Sequence, residues 1–204
     1  MVEIVVVVMA IAVLGLALFP SYINARDRAQ RINCTSRLKQ IGLGFRLWSG
    51  DHGEKYPQQL LVSSNGVMEL IERGDVASTF LVMSNELSTP KILWCPSDRR
   101  NRMASIFTNG IANSNVNYFV ALDADETRPQ MFLAGDDNFL INGKPVTPGV
   151  IALTTNTLVA WSTARHNQQG NVGLADGSVQ GFSTTPLRTA IQNAGTNIIR
   201  LAFP

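Results

Sequence analysis

The chain begins with an unbroken apolar run, since no side chain between Ile4 and Phe19 is polar. As a helix these residues span about 24 Å, and adding Met1, Val2 and the Pro20–Ile23 segment brings the length near the ~30 Å of a bilayer core. A secretory signal peptide fits poorly, because no Lys or Arg precedes the run and Pro20-Ser21-Tyr22 is a poor cleavage context. A buried strand would account for the four valines at 5–8, but the run exceeds any ordinary strand. Residues 1–23 therefore read as a hydrophobic helix suited to a membrane.

The helical period continues past Pro20 in a different form. Cys34, Leu38, Ile41, Phe45 and Trp48 recur at alternating steps of four and three, with Arg37, Lys39 and Arg46 off that stripe. The spacing predicts that residues 24–50 extend the first helix as an amphipathic continuation, Pro20 kinking rather than ending it. Gly42 and Gly44 each weaken it by about 1 kcal/mol relative to Ala. The stripe needs a partner, and residues 51–204 supply a globular head.

That head reads as α+β. Val67–Arg73, Val76–Leu87 and Leu187–Asn193 are the predicted helices, the last opened by Pro186 and stopped by Gly195. Predicted strands are Asn117–Leu122, Gln130–Ala134, Asn138–Ile141, Leu158–Thr163, Asn171–Ala175 and Ser178–Phe182. Gly135-Asp136-Asp137 and Asp176-Gly177 read as turns between paired strands.

Charge sharpens this division. The 204 residues carry a formal +2, yet residues 20–50 alone hold Arg26, Arg28, Arg31, Arg37, Lys39 and Arg46 against Asp27, a local +5. With Glu3 negative, residues 51–204 sum to −2. The basic residues at 26–46 are expected to face acidic surfaces of neighbouring subunits. Glu3 is the one charge at the apolar tip, and its carboxylate either rests among lipid headgroups near the positive helix end or needs a cation such as a neighbour's N-terminal amine.

An acid near the N-terminus, a wholly apolar stretch, Pro20, and then Arg31-Ile-Asn-Cys-Thr-Ser-Arg-Leu-Lys-Gln-Ile-Gly-Leu-Gly-Phe-Arg-Leu-Trp48 together resemble the prepilin-type segment of bacterial type IV pilins and type II secretion pseudopilins. The stretch from Arg165 to Val179 is similar to the His…Gly-x-Asn…Ala-Asp-Gly-Ser element of a pseudopilin-like subfamily, and Trp94-Cys-Pro-Ser-Asp98 fits it as well. The resemblance implies a pilin-like α+β fold, a long N-terminal helix laid on a small antiparallel sheet. It implies assembly through Glu3 and Pro20 into a homo-oligomeric helical filament. The implied partners are the inner membrane before assembly, a prepilin peptidase and pilus or secretion machinery; the implied destination is the periplasm or cell surface. In that family the acid lies four residues after the often methylated first mature residue, whereas Glu3 lies two after Met1. Either a leader and two mature residues precede this sequence, or processing differs.

Candidate chemistry is sparse. Two cysteines exclude a four-cysteine zinc site within one chain. If the body is exported, a Cys34–Cys95 disulfide would close a loop of about sixty residues, contributing up to about 4 kcal/mol. The alternative, two buried thiols packed as small hydrophobes, is the reading we adopt. His52 and His166 could join Ser97, Asp98 or Asp176 only through a geometry no motif supports, so no catalytic residue is expected. His166, Gly170, Asn171, Asp176 and Gly177 read as a structural hairpin element. Asp123, Asp125, Asp136 and Asp137 could offer oxygens to calcium, but Arg128 and Ala134 stand where an EF-hand needs Gly and Glu, and solvated turn carboxylates are the expectation. No cofactor other than calcium is considered, and nucleotide fingerprints are absent.

The leading function is a filament subunit, mechanical rather than enzymatic. The alternative is a membrane-tethered periplasmic binding or enzymatic domain that never polymerises, which the +5 segment favours under the positive-inside rule. A nucleic-acid-binding subunit would need aromatics interleaved with the basic residues, and only Trp48 lies near them.

Overall fold

The computed structural model describes residues 2–98, 102–108, 110–194 and 196–204, with the backbone alone for 16–24. Helix α1 runs unbroken over Val2–Asp51, about 75 Å of rod. Every residue of the predicted stripe is buried on the head: Cys34, Leu38, Ile41, Phe45 and Trp48. Val2 to Leu14 instead lie exposed, as do Ala25 to Ala29, so the N-terminal part of the rod stands clear of the head. Among the described residues no helix is long and apolar enough to cross a membrane. The side chains of residues 16–24, and so of Pro20, lie outside those residues.

The head is α+β, with short helices α2 (Met68–Ile71), α3 (Val76–Val82), α4 (Ser84–Leu87) and α5 (Thr184–Gln192). Its strands are β1 (Tyr118–Ala121), β2 (Phe132–Asp136), β3 (Phe139–Ile141), β4 (Lys144–Pro145), β5 (Gly149–Thr154), β6 (Val159–Trp161), β7 (Gln169–Leu174), β8 (Val179–Ser183) and β9 (Ile198–Phe203). Six form one antiparallel sheet in the order β5-β9-β1-β2-β7-β8, and three form a second in the order β4-β3-β6. Helix α1 lies across β2, β7 and β8 and touches α4. The sheet is larger than the small one expected, because β5 and β9 add an edge with no turn between them to announce it.

Several elements differ from the sequence reading for identifiable reasons. The predicted helix over 76–87 divides at Met83, whose backbone leaves the helical region (ψ 19°). Asp75 caps the first piece by accepting from the Ser78 amide at 3.2 Å. Helix α5 begins at Thr184, placing Pro186 within its first turn, and the expected stop at Gly195 lies outside the described residues. The turn expected at Gly135-Asp136-Asp137 is not one: β2 continues through Asp136, and β3 belongs to the other sheet.

Gly135 explains why β2 can pass there. A Cβ at this position would stand 2.6 Å from the Phe119 ring and 2.9 Å from the Asn171 carbonyl oxygen. Both neighbours are buried, so neither can yield freely. Gly135→Ala is expected to destabilise the head by about 1–3 kcal/mol, read as a lower urea midpoint at unchanged slope; an unchanged midpoint would show that the strand relaxes.

The basic residues of α1 serve the chain itself more than expected. Arg31 donates to Gln169 Oε1, Arg37 donates to the Trp94 carbonyl and lies over its ring, and Arg46 reaches the Asp176 carbonyl at 3.0 Å. Only Arg26, Arg28 and Lys39 of the six are exposed without such a contact to the head among the described residues. Three of the six basic residues expected to face neighbouring subunits are thus engaged within the chain.

Tyr56, just beyond α1, is buried and donates to the Ala175 carbonyl at 2.9 Å. Burial first, then the charge of Glu126, pushes its pKa up to about 12 from the ordinary 10. Because the folded state holds the proton more tightly, this contribution is complete below pH ~10 and disappears as pH rises toward 12. Tyr56→Phe should cost about 0.5–1.5 kcal/mol at neutral pH and flatten part of the alkaline loss of stability, as followed by denaturation between pH 8 and 12. An alkaline limb identical to that of the parent would contradict this assignment.

Candidate functional site

Four separate elements converge beneath α1. The buried stripe of the helix begins at Cys34, and its neighbour Thr35 donates to Asn171 Oδ1 on β7 at 3.1 Å. Asn171 in turn donates through its amide (2.7 Å) and side chain (2.9 Å) to Asp136 Oδ2 on β2. A short polar chain thus fixes the carboxylate of the sheet relative to the helix. Asp136 Oδ1 is buried and has no hydrogen-bond partner among the described residues.

Cys95 arrives from the loop that follows a 3-10 turn at Pro90–Leu93. Its amide donates to Asn117 Oδ1 at 2.9 Å, and Asn117 Nδ2 donates to Asp98 Oδ2 at 2.6 Å. The Asp98 amide closes the loop on the Cys95 carbonyl at 2.9 Å. One buried asparagine therefore sets the course of the whole Cys95–Asp98 segment.

His166 reaches the same point at a conformational cost. His166, Asn167 and Gln168 have φ of 53°, 51° and 60°, a left-handed path that costs non-glycine residues about 1–2 kcal/mol each. Asn138 stabilises this path, donating to the carbonyls of Arg165 (3.4 Å) and Gln169 (3.2 Å). The result is a His166 ring with Nε2 3.4 Å from Cys95 Sγ and 3.8 Å from Asp136 Oδ2. One ligand-type atom from each of Cys34, Cys95, Asp136 and His166 lies within 4.8 Å of all the others. Both cysteines are free thiols.

The electrostatics of the cluster are strongly coupled. A hydrogen bond between the thiols, together with burial, raises the pKa of Cys34. The same bond lowers that of Cys95 against the pull of burial, helped by His166 and Arg165. Burial alone would depress His166, but the hydrogen bond to Cys95 and the charge of Asp136 raise it. Asp136 is raised by burial and then by Cys95. Alongside lies Arg165, 2% exposed, paired with Asp137 and 3.6 Å from Asp98 Oδ2.

A thiolate beside an imidazole can act as a nucleophile, but this one is closed. Cys34, Cys95 and Asp136 have no solvent exposure and the His166 side chain has 1%. A cavity of about 290 Å³ lies elsewhere, between Gln58, Glu72, Asp123, Arg128 and Arg200. Four donors of mixed sulfur, nitrogen and oxygen type, sealed from substrate, suit a structural role, by ion binding or by packing.

The other residues singled out from the sequence are scattered. Gly170 and Asn171 lie in β7, and Asp176 and Gly177 form the β7–β8 turn, with Gly177 at φ 82° and Asp176 accepting from the Ser178 amide. His166 belongs to the cluster as well as to that element. The four aspartates considered for calcium do not gather: Asp123 binds Arg200 at 2.5 Å, Asp125 binds Thr127, and neither joins the cluster. Asp136 and Asp137, expected in solvated turns, are buried because the strand runs on beneath the helix. Glu3 sits exposed in the first turn of α1. Sequence reasoning gave Asn117 and Arg165 no role, although Arg165 directly precedes His166. No family model, curated protein or solved structure matches the chain.

Proposed function

We propose that this chain is a structural subunit of a helical filament of the type IV pilus-like or type II secretion pseudopilus kind, assembled through its N-terminal helix. The observation that carries the reading is the division of α1. Its C-terminal part is bound into the head, whereas Val2 to Leu14 are apolar save Glu3 and exposed on every side. Each Val, Ile or Leu removed from water contributes about 1.5–3 kcal/mol, so a rod of this composition is stable only when covered. A membrane and a bundle of identical helices both cover it, and transfer between them changes little for the apolar side chains. Identical head-to-tail contacts whose rotation does not close a ring propagate a fibre.

The fixed attachment of the head supports the same reading. Arg31, Arg37 and Arg46, with the buried stripe, hold the head to the rod over residues 31–48. Force along a fibre would pass through the rods while the heads form its outer surface. Electron microscopy of native material should reveal thin fibres with a helical repeat that contain this chain. A protein found solely as a membrane-bound monomer would overturn the proposal and favour a tethered domain.

A further inference from the structure

We propose that Cys34, Cys95, Asp136 and His166 form a structural site for a divalent transition metal of the zinc class, which fastens the spine helix to the head. The donor set is of the right kind: two sulfurs, one imidazole nitrogen and one carboxylate oxygen suit a borderline-soft, tetrahedral ion. So is the spacing. Bonds of about 2.0–2.3 Å place tetrahedral donors about 3.3–3.8 Å apart. Here the His166–Cys95 and His166–Asp136 separations are 3.4 and 3.8 Å, and every pair lies within 4.8 Å.

The surroundings separate this site from a disulfide. A Cys34–Cys95 bond would use two of the four groups and leave the others unexplained. Asp136 would retain a buried Oδ1 with no partner among the described residues. His166 would still be delivered by three consecutive left-handed residues. A metal ion gives both a purpose. Asp136 Oδ2 is oriented by two donors from Asn171, the kind of outer contact that holds metal-binding carboxylates in place. Two thiolates, one carboxylate and a neutral imidazole around a divalent ion leave a single negative charge, and the Arg165 guanidinium is near enough to act on both cysteines and Asp136. All four positions are taken by protein, so the ion is structural and not a catalyst with an open site.

Binding displaces two protons from the Cys34–Cys95–His166 group, leaving two thiolates and a neutral imidazole on the ion, and involves no redox change. The full chain, purified in detergent under reducing conditions without chelator, should contain about one zinc per chain and two titratable thiols after denaturation. Removing the metal and adding cobalt(II) should give the intense visible bands of a tetrahedral ion and a near-ultraviolet thiolate charge-transfer band, both reaching full strength at one equivalent. Cys95→Ser and His166→Ala should each lose stoichiometric metal. Because these variants could fail to fold, the cobalt spectrum of the unaltered chain decides. A folded, reduced chain that takes up no cobalt, or one whose native mass shows a Cys34–Cys95 disulfide, overturns the proposal. Filament formation plays no part in this readout, so the site and the assembly reading stand or fall separately.

Discussion

Arg165→Met is expected to destabilise the head by about 3–5 kcal/mol, the usual result of removing one partner from a buried ion pair. The guanidinium is 2% exposed and lies between Asp137, with which it pairs directly, and Asp98 at 3.6 Å. Asp98 and Asp137 are themselves 4% and 6% exposed, so little water reaches the carboxylates that face it. Methionine keeps most of the aliphatic volume, which makes the change one of charge rather than packing. Arg165→Lys should retain part of the stability, since an ammonium carries the charge without the planar fork that reaches two carboxylates. Asp137→Asn in the Met background should recover part of the loss, as expected for groups that interact directly. Domains are stable by only about 5–15 kcal/mol, so the Met variant should have a much lower urea midpoint and accumulate poorly. A midpoint within about 1 kcal/mol of the parent would show that the two carboxylates are held by other contacts.

The segments legible in the sequence are those whose physics is local. The stripe Cys34, Leu38, Ile41, Phe45, Trp48 is a periodicity within one helix, and all five residues are buried as the pattern requires. The Asp176-Gly177 turn is likewise local, since glycine at φ 82° meets a need within a few residues. Strands β5 and β9 gave no such signal. Their pairing joins Gly149–Thr154 to Ile198–Phe203 across about fifty residues, and the half-buried Arg200 within β9 is explained by Asp123 and Glu72, both far away in sequence.

The candidate site was hidden for the same reason. Its four members are spread from residue 34 to 166, without the paired short spacings that make a zinc finger readable. Counting two cysteines excludes a four-cysteine site but leaves a mixed one open, and only the fold brings Asp136 and His166 to the thiols. Gly135-Asp136-Asp137 misled because Gly-Asp sequences usually mark turns. Here the glycine admits the Phe119 ring and the Asn171 backbone, and the aspartate goes inward.

Glu3→Ala should abolish filaments while leaving membrane insertion intact. The two halves of this expectation follow from opposite signs. In a bilayer the carboxylate at the helix tip gains nothing from the hydrocarbon, since a charge costs up to about 2.5–3.5 kcal/mol at the centre of a spanning helix and less toward the headgroups, so alanine inserts at least as well. In the proposed bundle of apolar rods the same carboxylate would pair with a cation of the neighbouring chain, and removing one partner of a buried pair costs about 2–5 kcal/mol. At 1.4 kcal/mol per tenfold, that raises the subunit concentration needed for growth by about 30-fold to several thousand-fold. If Glu3 served only the helix dipole, the loss would be about 0.3–1 kcal/mol, under tenfold, and fibres would persist. Glu3→Gln sharpens the choice, because it keeps the shape and some hydrogen bonding but removes the charge, and it should fail nearly as completely as alanine. Counting fibres per cell beside the amount of chain in the membrane fraction separates the two halves. Normal fibres from the alanine variant would end the argument that this carboxylate drives assembly, and would leave the exposed apolar rod to be explained by the membrane alone.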